Sequence, residues 1–84
     1  MKQMYRENIL KIRALQRRKT CLYRSIYKKR DKLIERGYIL SDDEFERLYL
    51  TMPDNDLKVY TNYITALNEL KNTKEQISAL SELI

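Results

Sequence analysis

Five cations stand in one row early in this chain: Arg6, Arg13, Arg17, Arg24 and Lys28. Separations of seven and four residues bring such side chains to one side of an α-helix. The row would run roughly 33 Å at 1.5 Å of rise per residue. Its chemistry is anion recognition. A guanidinium is a planar fork that can hold a phosphate or a carboxylate through two hydrogen bonds. Lys11, Arg18, Lys29 and Arg36 make a second row beside the first. The charge is also lopsided along the chain. Residues 1–37 carry thirteen Lys/Arg against three acids, and residues 38–84 carry four against nine. Clustered cations raise the local potential and speed the approach of anions, so this pattern calls for an acidic partner.

Other chemistry is argued against by what is missing. The chain has no histidine, the commonest general base and transition-metal ligand. Cys21 therefore has no imidazole to activate it, and as the sole cysteine it reads as a small apolar filler in a reducing compartment. Gly37 stands alone, so there is no glycine-rich loop to cradle phosphate. Asp42, Asp43, Glu44 and Glu46 offer oxygen ligands but lack the alternation and central glycine of a calcium loop. Acids at a helix start are explained by the helix dipole. The expectation is no catalytic residue, no metal and no cofactor.

The elements that must carry the cations are helices. One glycine and one proline in 84 residues leave too few turns for sheets, and a 35% charged, 43% hydrophobic composition suits a soluble bundle. Tyr5, Ile9, Ile12, Leu15, Leu22, Ile26 and Leu33 recur at helical spacing, predicting a helix over about 2–36. Gly37 supplies the left-handed residue that ends it, and Tyr38 the apolar contact that follows. Ser41 through Glu44 reads as a capping box opening a short helix over about 42–50. Thr51-Met52-Pro53-Asp54 repeats that pattern and starts a third helix over about 53–83, with Pro53 in its first turn.

In the third helix Leu57, Tyr60, Tyr63, Ile64, Leu67 and Leu70 form a stripe, which Lys71–Gln76 interrupts. Ile77, Leu80, Leu83 and Ile84 resume it, rotated by roughly a quarter turn on an ideal wheel. Either the last turns wrap the first helix or they meet a second subunit, so Ile77, Leu80 and Ile84 are candidate oligomer contacts. Lys19 and Arg30 fall within the apolar arc of the first helix, where a charge must snorkel or find a carboxylate. Such seam charges often set register or oligomeric state. Seven tyrosines and no tryptophan suit half-buried borders and binding surfaces.

The chain thus reads as one all-α domain. It is a long antiparallel helical hairpin with a short helix at the bend, completed by homodimerisation into a helical bundle because two helices alone bury little. No run is long enough to span a membrane, and no apolar leader follows the basic start; the expectation is a cytoplasmic protein that does not bind membranes. Two functional classes survive. One is a non-enzymatic protein-interaction module, adaptor or inhibitor, that docks a basic, Tyr-rich face on an acidic protein surface through Arg6, Arg13, Arg17, Arg18, Arg24 and Lys28. Its size and its Lys, Ile, Asn, Tyr and Leu content suit a phage-type antagonist from an AT-rich genome. The alternative is a small dimeric nucleic-acid-binding protein whose ridge contacts phosphates. The third helix, with Lys58 alone among its early residues, makes a poor recognition helix for the major groove.

Overall fold

The computed structural model describes residues 2–83, with side chains from Met4 onward. Its order is α1 (Lys2–Glu35), a 3-10 turn (Asp42–Glu44), α2 (Phe45–Thr51) and α3 (Asp54–Glu82). The long helices pack antiparallel into a rod with extents of 54 × 20 × 16 Å, and α2 lies at the bend. All described elements are helical, as expected, and α1 runs unbroken through Lys28-Lys29-Arg30.

The seam between α1 and α3 follows a heptad pattern. Its positions on α1 are Ile12, Leu15, Lys19, Leu22, Ile26, Lys29 and Leu33, and on α3 Val59, Tyr63, Ala66, Leu70, Thr73, Ile77 and Leu80, all of them buried or half-buried. Steps of three and four alternate throughout, the spacing that keeps one face of each helix turned to a partner. Ile26 meets Ala66 and Leu70, where the small alanine lets the backbones approach. Thr73 is buried, and its hydroxyl is satisfied by donating to the Glu69 carbonyl at 2.7 Å. The seam therefore passes straight through the polar interruption at residues 71–76.

The rotated stripe of α3 has a simple cause. Its first half serves two neighbours. Ala66 and Leu70 face α1, Leu57, Tyr60 and Ile64 face α2 and its flanking turns, and Tyr63 and Leu67 lie between the two. Beyond α2 only the seam remains apolar, so the pattern narrows and shifts.

The bend is held at three points. Gly37 adopts φ +90°, with its N–H on the Ile34 carbonyl (2.9 Å) and the Tyr38 N–H on the Leu33 carbonyl (3.2 Å). That is the Schellman ending expected of a glycine after the last turn, and Tyr38 packs on the core beside Leu33. Leu33, Leu48, Met52 and Tyr60 form the core, with Leu33 at 0% exposure. Finally, Asp56 in the first turn of α3 accepts from the Tyr38 hydroxyl and pairs with Arg36.

Two local expectations are corrected. The Ser41–Glu44 capping box does not form. Ser41 makes no side-chain cap, its carbonyl accepts from the Glu44 N–H at 3.1 Å in a 3-10 turn, and the Glu44 carboxylate takes the Arg47 guanidinium instead. A nearby cation outcompetes a backbone amide for a carboxylate. Thr51 caps nothing either: it ends α2, its hydroxyl donates to the Arg47 carbonyl, and Pro53 precedes α3 with its carbonyl accepting from Leu57 at 2.8 Å.

Candidate partner-binding face

The heptad seam turns one side of α1 toward α3 and leaves the other side to solvent. Arg6, Arg13, Arg17, Arg24 and Lys28 all lie on that outer side and are exposed. No stretch of backbone has to distort to align them, because seven- and four-residue steps drift little on a helix in a heptad pairing. The ridge is therefore a direct product of the seam.

Ion pairing leaves this ridge untouched. Among the described residues, the cations in ion pairs are Arg18 of α1, with Glu69 at 3.4 Å, Arg36 just past the end of α1, with Asp56, and Arg47 of α2, with Glu44. The Arg18–Glu69 pair is exposed on both sides, and pairs of that kind contribute little. Lys29 is half-buried at a seam position and donates to the Ser25 hydroxyl. The acids of α3 do not reach across to the row at Arg6–Lys28.

The seam cations sort differently from the sequence reading. Lys19 sits half-buried in the seam, and the register that joins Arg36 to Asp56 puts it level with Thr73. Arg30 falls one position beyond the seam and is exposed. Ile77 and Leu80 are half-buried and continue the seam against α1, while Ile84 lies outside the described residues.

The surroundings of the ridge are mixed in character. Leu10 is 63% exposed and lies among Arg6, Arg13 and Arg17 on the wheel. Arg24, Ser25, Tyr27, Lys28 and Asp31 line one open hollow of about 610 Å³, so an acid stands in the line of the ridge at its far end. Tyr27 stacks on Tyr23 with ring centroids 6.1 Å apart, and Lys74 of α3 sits 5.2 Å over the Tyr23 ring. A rigid aromatic pair beside cations offers flat apolar area together with charge. A second hollow, of about 290 Å³, is lined by Ser25, Lys28, Lys29, Lys32, Val59 and Asn62.

Sequence reasoning missed the Asp56 anchor. Asp56 falls within the apolar arc of α3, between Tyr63 and Leu67 on the wheel. An acid inside an apolar arc needs a partner, and that signal pointed to Arg36 and Tyr38 across the glycine turn. The stacking of Tyr27 on Tyr23 was legible as an i, i+4 pair; the cation over it from α3 was not.

Cys21 is free and exposed. Among the described residues no group of His, Cys, Asp and Glu is arranged to hold a metal ion, and no helix is long and apolar enough to cross a membrane. Comparisons with protein-family models, with curated proteins and with solved structures find no match to this chain.

Proposed function

We propose that this chain is a non-enzymatic, cytoplasmic protein-interaction module that docks the outer face of α1 on an acidic protein surface. The observation that carries the reading is the unpaired ridge of Arg6, Arg13, Arg17, Arg24 and Lys28 with Leu10 and Tyr27 exposed beside it. Protein interfaces are enriched in arginine and tyrosine and have apolar cores. A face that only tracked phosphates would gain nothing from the exposed Leu10. The partner this face fits carries carboxylates spaced along a groove or helix, with apolar side chains between them. A short chain acting this way works by occupying a surface, as an adaptor or an antagonist does.

The straightness of the ridge favours a second reading, nucleic-acid binding through phosphates. One experiment separates the two. Labelled peptides interleaving Asp and Glu with Leu and Phe, random duplex DNA, single-stranded DNA and a structured RNA are each titrated with the protein by fluorescence anisotropy across a salt series. The protein reading expects peptide binding that Arg17→Glu with Arg24→Glu weakens at least tenfold and Lys58→Glu leaves alone. Tight nucleic-acid binding that falls steeply with salt, without peptide binding, replaces it with the second reading.

A further inference from the structure

Two segments of the rod carry opposite charge, one at the open end and one around α2. Residues 4–19, at the open end of α1, carry six cations against Glu7, a net of +5. Residues 38–56, around the bend, carry Arg47 against six acids, a net of −5. Internal pairing removes about one charge from each: Arg18 is set against Glu69 and Arg36 against Asp56. These two segments stay opposite in sign, while Lys28, Lys29, Arg30 and Lys32 of α1, and Arg36 just past it, stand beside the acidic segment at the bend, so its negative charge is local to α2 and its flanking turns.

Exposed apolar surface collects at the same two ends. Tyr5 is exposed at the open end, and Ile39, Phe45, Tyr49 and Leu50 at the bend; Leu50 is 79% exposed. At the bend, Phe45 stacks on Tyr49 at 6.2 Å and tilts against Tyr60 at 5.9 Å, so the apolar knob is held rigidly. The acids Asp42, Asp43 and Glu46 are exposed around it.

Both ends also share a face. On the wheel of α3, Tyr60 and Ile64, which meet Phe45, lie on the same flank as Lys74, which covers Tyr23. So α2 and the Tyr23–Tyr27 pair project from one side of the two-helix layer. On α1 that side continues to Tyr5, Ile9 and Ile12, bordered by Arg6 and Arg13. The face is thick where α2 adds a third helix and thin where it does not. A second rod turned end for end places thick on thin and acid on base, at both ends at once. The rod measures 54 Å by 16–20 Å, so roughly 900 Å² per copy is the most this face could cover, against about 800 Å² per partner in a standard stable interface.

We propose that this chain forms an antiparallel two-fold dimer in which the α2 knob of each copy seats on the Tyr5–Ile9–Ile12 strip of the other. Two-fold contacts close on themselves, so the assembly stops at two. Arg17, Arg24 and Lys28 stay on the outer rim, while Arg6, Arg13 and Tyr27 belong to both surfaces; the two readings are told apart by what is measured, assembly mass for this one and peptide binding for the other.

The test is a charge exchange read by sedimentation equilibrium, with circular dichroism as the check on folding. The wild type is expected as a dimer at micromolar concentration. Its dissociation constant should rise at least tenfold between 50 mM and 500 mM salt, as screening removes the complementarity. Arg6→Glu with Arg13→Glu should be monomeric, and so should Asp43→Lys with Glu46→Lys. An equimolar mixture of the two variants should form a heterodimer, since both of its contacts then pair opposite charges. A monomeric wild type, a salt-insensitive dimer, or variants that fail to pair on mixing would each overturn the proposal. The salt series on the wild type stands even where a variant does not fold.

Discussion

The bend and the open end of this rod share one heptad seam and differ in how many neighbours each helix has. At the bend α3 lies against both α1 and α2, and Leu33, Leu48, Met52 and Tyr60 are buried, Leu33 completely. At the open end each helix has a single neighbour. Ile12, Leu15, Ile77 and Leu80 keep the seam spacing but are only half-covered, and Lys11, Ala14, Leu15, Gln76, Ala79 and Leu80 line an open groove of about 490 Å³. Periodicity alone therefore does not make a core. Burial needs a second neighbour to close the other flank, and local stability follows from it.

Truncations should show the largest gap between the two regions. Leu33→Ala is expected to cost about 2–5 kcal/mol, since its side chain has no exposed part and the cavity cannot collapse freely. Leu15→Ala, at the open end, should cost less than about 1 kcal/mol in the dilute limit, because solvent already reaches the site. Urea denaturation of the two variants measures both; equal losses would erase the comparison.

The next effect comes from the anchor that joins the two long helices at the bend. Asp56→Ala should cost about 1–3 kcal/mol, because it strands Arg36 and the Tyr38 hydroxyl. The range is set below that of a fully buried pair because the Arg36 side chain is 43% exposed. Tyr38→Phe removes one hydrogen bond and should cost about 0.5–1.5 kcal/mol. The same denaturation series places both between the two leucine variants.

The smallest effect is a pH dependence confined to the bend. Burial holds the Tyr60 phenol above its usual range, reinforced by Tyr63 and the Asp42 carboxylate nearby. The folded chain then keeps this proton at pH values where the unfolded chain has lost it. Stability from this group is complete below about pH 10 and is lost as pH rises through the folded value. Tyr60→Phe should flatten the stability profile above pH 10. An unchanged alkaline slope would show that Tyr60 does not set it.

Much of this was legible in the chain. The helices, the glycine ending with Tyr38 behind it, and the outer row of cations all follow from spacing within one element, where geometry is local. What was misread lay between elements. Lys29 and Thr73 are polar yet occupy seam positions, and Arg30, one step further, does not. Polarity hides a seam position, because a long aliphatic stem or a hydroxyl bonded to the preceding turn can sit there without an apolar name. The capping box failed for a related reason. Ser41 and Glu44 have the right types, but Arg47 is close enough to take the carboxylate.

The sequence by itself determined the helical hairpin and the charge map, because 3.6 residues per turn convert residue spacing directly into faces. Only the tertiary structure decided which face of α3 meets α1 and which meets α2, how the seam crosses Thr73, and that Asp56 joins Arg36 and Tyr38. Those outcomes depend on distances between segments far apart in the chain, and no local periodicity encodes such distances.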